Sequence, residues 1–149
     1  MKVVLDEGAF MPEYAHDTDA GMDLRSPIDV MLPAKRNEAF GNYEEANVGC
    51  VAIDTGVHVE LPTGTVGFLK SKSGLNVKHH IVSEGVIDEG YTGSIVVKLY
   101  NRGVTDYFIH RGDKITQMVV LPYSHVDIER VDELESTSRG DSGFGSTGI

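Results

Sequence analysis

The chain has 149 residues, a length that suits one domain with its own core and leaves no linker to divide it. Its formal net charge of −10 argues against a polyanionic partner such as DNA or RNA, because nucleic-acid readers carry a basic face. No apolar run approaches a membrane span, and the first ten residues meet Asp6 and Glu7 too early for a signal peptide, so a cytoplasmic protein is expected.

In chain order, the first chemically interesting segment is Ala20-Gly-Met-Asp-Leu-Arg-Ser26. Asp23, between apolar neighbours and after a glycine, suits either the capping of a turn or the orientation of metal-bound water, and the segment by itself favours the turn. Asn37–Ala46 reads as an excursion between strands, and the surrounding stretch 36–49 is long for a compact core. Cys50 is the single cysteine; its neighbours Val48, Val51 and Ile53 predict an inert buried thiol.

Val57-His-Val-Glu-Leu61 alternates apolar and polar residues, as a half-buried strand does. Turn chemistry follows at Pro62-Thr-Gly64. Lys70-Ser-Lys-Ser-Gly-Leu75 leads into the one short helix the pattern predicts, through His80, with Ser73 placed to cap its first turn. A helix start presents unpaired N–H groups and the positive end of its dipole, and Lys72 and Ser73 add a cation and a hydroxyl, so the corner reads as a phosphate seat or as an ordinary capped helix. His79-His80 is a poor metal pair, because consecutive helical residues diverge and no third ligand lies at zinc spacing.

Gly85-Val-Ile-Asp-Glu-Gly-Tyr-Thr-Gly93 is a glycine-framed hairpin turn holding two carboxylates and a tyrosine. Asp88 follows a hydrophobic pair whose proximity is expected to desolvate it and make it a better base for a water molecule, with Glu89 the weaker candidate. Gly90 and Gly93 frame Tyr91, whose ring suits a small ring substrate. Ser94–Tyr100 then puts Ile95, Val97 and Leu99 on one face of a strand, and Lys114–Leu121 is another strand, rich in branched residues, in which Gln117 needs polar partners. The strand after strand punctuated by Asn101-Arg-Gly103 and Arg111-Gly-Asp113 predicts an all-β sandwich or barrel. Arg-Gly-Asp recurs at 139–141, but an adhesion tripeptide requires secretion, which nothing in the sequence suggests.

The last stretch, Arg139-Gly-Asp-Ser-Gly-Phe-Gly-Ser-Thr-Gly148, has almost nothing to bury and is expected to be a mobile arm beyond a core of 1–136. Closely spaced glycines bring backbone N–H groups to phosphate oxygens, Ser142, Ser146 and Thr147 add hydroxyls, Arg139 a bidentate fork and Phe144 a flat face for a base. The segment 137–149 reads as a nucleotide clamp.

Taken together and in order, AGMDLRS (20–26), SKSGL (71–75), GVIDEGYTG (85–93), RGDKITQM (111–118) and RGDSGFGSTG (139–148) resemble the five motifs of the trimeric deoxyuridine triphosphatases, the dUTPases. That resemblance implies a jelly-roll-like β-sandwich, a homotrimer with active sites shared between subunits, and Mg²⁺-assisted hydrolysis of dUTP to dUMP and pyrophosphate. By position in the motifs it implies Asp88 as the residue that activates the attacking water, Tyr91 beneath the deoxyribose, and the hairpin backbone from Gly85, including Ile87, as the reader of uracil. Lys72, Ser73, Gly74 and Gln117 would hold the phosphate chain, and Asp23 would act on magnesium through water. Arg139 would meet the outer phosphate, Phe144 would cover the base, and Gly145, Ser146 and Thr147 would close on the phosphates. The chain departs from the family in carrying Lys72 where arginine is usual, since lysine lacks the planar fork. Rival readings are a deoxycytidine triphosphate deaminase of the same fold and a nucleotide-sensing regulatory protein.

Overall fold

The computed structural model describes residues 1–34 and 49–140. Ten strands and one helix follow one another: β1 (Lys2–Leu5), β2 (Gly21–Arg25), β3 (Val30–Leu32), β4 (Gly49–Asp54), β5 (Val57–Glu60), β6 (Thr65–Lys70), α1 (Ser73–His79), β7 (Ile81–Ile87), β8 (Val96–Asn101), β9 (Tyr107–Ile109) and β10 (Lys114–Pro122). The fold is all-β and jelly-roll-like. A curled six-stranded sheet runs in the order β2-β10-β6-β7-β8-β4, flanked by the pairs β1-β5 and β3-β9.

The curl has a definite origin in β7. Its first half, Ile81 to Ser83, pairs with Asn101 to Leu99 of β8, and its second half, Glu84 to Ile87, pairs with Lys70 to Gly67 of β6. At the handover stands Gly85, where an added Cβ would lie 3.2 Å from Leu69 Cδ1. The strand thus changes partners where its backbone packs close to a core leucine.

Period-two alternation delivers the core. Ile95, Val97 and Leu99 all point inward and are fully buried, as the strand pattern predicts. They join Leu24, Leu32, Ile53, Ile81, Ile109, Ile115 and Met118 in one cluster between the sheets. The three predicted turns are present. Gly64 and Gly112 adopt positive φ (76° and 93°), and Gly103 N–H donates to Asn101 Oδ1 at 2.9 Å.

Several expectations need correction. Asp23 does not cap a turn; it lies in the middle of β2, whose residues Gly21 to Leu24 are all buried. Ser73 is the first helical residue rather than the cap: the N-cap is Lys72, in extended conformation and without a side-chain capping bond. Cys50 is only half-buried, because β4 is an edge strand of the sheet. The excursion expected at Asn37–Ala46 and most of the stretch 36–49 lie outside the described residues, as do Phe144, Gly145, Ser146 and Thr147.

Candidate active site

Residues of two motifs and the residues just before two others meet along one transverse row of the large sheet. Asp23 of β2 pairs with Gln117 of β10, Gln117 with Lys70 of β6, and Lys70 with Glu84 of β7. Antiparallel register, and nothing else, brings residues from 23 to 117 into line. Gly21 is needed beside this row, since a Cβ there would stand 2.7 Å from Gln117 Oε1.

A ladder of buried hydroxyls fixes the corner that leaves β6. Ser71 Oγ donates to the Ser83 carbonyl (3.0 Å) and accepts from Ser83 N–H (2.9 Å). Ser83 Oγ lies 2.8 Å from Thr116 Oγ1, which donates to the Lys70 carbonyl at 3.0 Å. Gln117 Nε2 donates to the Ser71 carbonyl at 3.2 Å, so the amide finds its partner in the backbone of the corner. The hydroxyls of this ladder are all paired, which sets the direction in which Lys72, Ser73 and Gly74 emerge. Ser73 and Gly74 are exposed.

Asp23 is 1% exposed, yet it is charged. Lys72 Nζ hydrogen-bonds its Oδ1, and Lys114 Nζ stands 2.6 Å from its Oδ2. Burial pushes the Asp23 carboxyl up, but the bonds and charges of Lys114 and Lys72 outweigh that and hold it below its ordinary value. Sequence reasoning missed Lys114; the signal was there, a lysine at the start of the strand that pairs with β2.

The hairpin tip forms a separate cluster. Tyr91 N–H donates to the Asp88 carbonyl at 3.1 Å, closing a tight turn, and Gly90 takes the positive φ (86°) required at its third position. Asp88 is exposed, contrary to the expectation that its neighbours desolvate it: alternation turns Ile87 into the core and leaves Val86 and Asp88 outward. Glu89 is engaged structurally, accepting from Gly64 N–H (2.8 Å) and Tyr123 Oη (3.0 Å). Tyr91 Oη donates to the Ser94 carbonyl at 3.0 Å, and its ring passes so close to Gly93 that a Cβ there would meet the hydroxyl at 2.5 Å. Glu84 is exposed.

The two clusters do not meet within the chain. Ser83, which holds the 71–74 corner, and Asp88 lie at opposite ends of the β6–β7 pairing. Four residues lie between them, and the five steps of rise span about 16 Å. Past Pro122 the described residues, through Gly140, add no strand and are all exposed.

Among the described residues no three His, Cys, Asp or Glu side chains converge as a metal cage. His79 packs against the Tyr107 ring (centroids 4.7 Å apart) and His80 closes the helix in left-handed conformation. Arg111 of the first Arg-Gly-Asp is likewise structural, donating to the carbonyls of Pro27 and Gly8 and lying over the Phe10 ring. No helix among the described residues is long and apolar enough to cross a membrane.

Comparison with known proteins shows the family. The family model described as dUTPase matches residues 7–148. A deoxyuridine 5'-triphosphate nucleotidohydrolase of Gloeothece citriformis is 38% identical over 148 residues, covering 97% of this chain and 93% of that protein. One from Clostridium kluyveri is 40% identical, covering 97% and 94%. Among solved structures, the dUTPase of Staphylococcus bacteriophage 80alpha with dUpNHpp superposes with a TM-score of 0.83 at 31% identity, covering 99% of this chain and 98% of its own. A variant dUTPase of Staphylococcus aureus phage phi11, described with a structural Mg(II) ion, gives a TM-score of 0.74 at 31% identity, with 91% and 98% covered. With a family model spanning nearly its whole length and relatives of this identity over nearly all of theirs, the chain belongs to the dUTPase family.

Proposed function

We propose that the protein hydrolyses dUTP to dUMP and pyrophosphate, with Asp88 activating the water that attacks the α-phosphorus. The observation that carries this reading is the row from Asp23 through Gln117 and Lys70 to Glu84, beside which the 71–74 corner is braced by paired hydroxyls. A braced corner with free hydroxyl and N–H donors and an adjacent lysine suits a phosphate chain.

Asp88, exposed at the end of β7, is open to water and to a substrate laid along the hairpin. Gly85 and Ile87 provide backbone for the edge of the base, and Tyr91 a ring for the sugar face. Since these groups stand apart from the 71–74 corner within one chain, a complete site needs the corner of a second copy, which supports a homotrimer with shared sites. Arg139, and Phe144 with Gly145, Ser146 and Thr147 beyond the described residues, would complete it as a closing arm.

Magnesium enters this scheme as part of the substrate, carried on the triphosphate, where it offsets the phosphate charge. The residues present fit that role better than a resident ion, because Asp23, the nominated carboxylate, is committed to two ammonium groups. Release of Lys72 toward the phosphates would free one Asp23 oxygen for a water on the metal. Lysine at position 72 thus serves as a mobile point charge, a use for which arginine's planar fork is less suited.

The test offers the protein dUTP and dCTP and measures pyrophosphate and ammonia. Pyrophosphate from dUTP alone is expected. Ammonia from dCTP would identify a deaminase, and neither product would identify a binding protein.

A further inference from the structure

The corner between β4 and β5, residues 54–58, belongs to none of the motifs, yet it grips the hairpin tip from behind at three residues. Thr55 donates to the Ile95 carbonyl through both its N–H (3.1 Å) and its Oγ1 (2.7 Å), and Ile95 N–H donates to the Val57 carbonyl at 2.9 Å. Ser94 Oγ donates to Asp54 Oδ1, which also accepts from Gly56 N–H at 3.0 Å. His58 Nδ1 lies 2.8 Å from the Thr92 carbonyl, and its Nε2 lies 3.3 Å from Asp6 Oδ2.

These contacts converge on Tyr91. Its hydroxyl donates to the carbonyl of Ser94, the residue whose side chain Asp54 holds, and Thr92, held by His58, is its neighbour in sequence. The ring therefore sits on a carbonyl whose position is set by Asp54 and on a backbone set by His58. We propose that Asp54 and His58 are positioning residues for sugar selection, acting through Ser94 and Thr92 to fix the ring of Tyr91. This rests on the reading that Tyr91 faces the deoxyribose.

His58 makes the grip sensitive to protonation. A carbonyl and a carboxylate are both acceptors, so both ring nitrogens carry protons only in the imidazolium form. The Thr92 carbonyl and Asp6 accordingly raise the imidazole above its ordinary value. The charged groups around it are Asp6 just past β1, Lys2 and Glu60 on the neighbouring wall of β1 and β5, and Asp54 at the end of β4. Lys2 and Glu60 pair with each other at 2.8 Å.

The experiment measures kcat and KM for dUTP and UTP, with thermal melts of each variant. Asp54→Ala is expected to narrow the dUTP preference by roughly three- to tenfold, the scale of one lost hydrogen bond. Asp54→Asn, whose amide oxygen still accepts from Ser94 and Gly56, should keep the preference. Adding Tyr91→Phe to Asp54→Ala should narrow it no further than Tyr91→Phe does alone, because the two act in series. In the unsubstituted protein the preference should weaken as pH rises above the ordinary imidazole value of 6.5, where the raised imidazole loses its charge, and His58→Gln should abolish that change. If Tyr91→Ala alters the preference while Asp54→Ala and Ser94→Ala do not, the positioning role is overturned and the sugar reading stands. If Tyr91→Ala leaves the preference unchanged, both fall. A loss of preference in Asp54→Asn equal to that in Asp54→Ala also overturns the proposal, as does a pH course that His58→Gln does not flatten.

Discussion

Lys72 and Asp23, 49 residues apart in sequence, form a hydrogen-bonded ion pair beside the 71–74 corner, and Lys114 pairs with the other carboxylate oxygen. An acid that is 1% exposed remains ionised because two ammonium groups reach it. Those ammonium groups are themselves about a quarter to a third exposed, so the cluster is buried at its centre and wet at its rim.

That arrangement predicts how the protein responds to acid. The carboxyl of Asp23 is held below its ordinary value of 3.8. A depressed value in the folded state means that its contribution is fully present above 3.8 and is lost as pH falls through the folded value. Asp23→Asn should lower stability in urea by about 1–3 kcal/mol at neutral pH, the cost of leaving charged partners unpaired. The difference between the two proteins should shrink below pH 3.8. Equal stability at neutral pH would show that the ion pairs contribute nothing.

The second prediction concerns the two carboxylates of the hairpin. Asp88→Asn should lower kcat roughly a hundredfold to ten-thousandfold while leaving nucleotide affinity largely unchanged, as removal of a general base does. Glu89→Gln should act mainly on the fold, since Glu89 braces Gly64 and Tyr123, and should cost less in turnover. A Glu89→Gln variant crippled in kcat beside an active Asp88→Asn would reverse the two roles.

How these parts could be read from sequence differs from one to the next. The strands around Ile95, Val97 and Leu99 and around Met118 were legible because alternation follows directly from the pleat. Asp23 misled a local reading, because its burial depends on Lys72 and Lys114, which reach it from β6's end and β10. Asp88 misled for the opposite reason: of its apolar neighbours, Ile87 turns into the core, and Val86, on the same side as Asp88, is itself exposed. The Asp54–Ser94 and His58–Thr92 contacts left no local trace, since they join residues 40 and 34 positions apart. Motif order conveyed the family, which the match over residues 7–148 shows, more fully than the chemistry of any single segment.

The third prediction uses Gly93. A methyl group there would stand 2.5 Å from the Tyr91 hydroxyl, inside any tolerable contact, so Gly93→Ala should displace the ring. Its dUTP preference over UTP should narrow toward that of Tyr91→Ala, through loss of a steric barrier against the ribose hydroxyl. Full discrimination in Gly93→Ala, with its melting temperature intact, would mean that the ring's position does not decide the sugar.

Metal removal gives the fourth. A triphosphate approaching a chain of net charge −10 needs its own charge offset, and hydrolysis should fall severely in excess chelator and return with magnesium. With the metal carried by the substrate, as proposed, the melting temperature of the free protein should not move. A chelator that lowers the melting temperature would reveal a resident ion instead.

The last concerns the carboxy-terminal segment. β10 ends at Pro122, every described residue beyond it is exposed, and none belongs to the core cluster. Among the described residues, removing the chain from 138 onward takes away no buried apolar surface, and the melting temperature and oligomeric state should stay close to those of the full chain. Hydrolysis should nevertheless drop sharply, since the deletion removes Arg139, Phe144 and the groups proposed to exclude water from the reacting phosphate. Phe144→Ala should reproduce part of the loss, through a base stack worth about 1–3 kcal/mol in comparable settings, and should appear mainly in KM. If the shortened chain turned over dUTP at the full rate, the glycine-rich segment would have no part in catalysis; if it lost its assembly instead, the segment would be holding subunits together rather than closing on substrate.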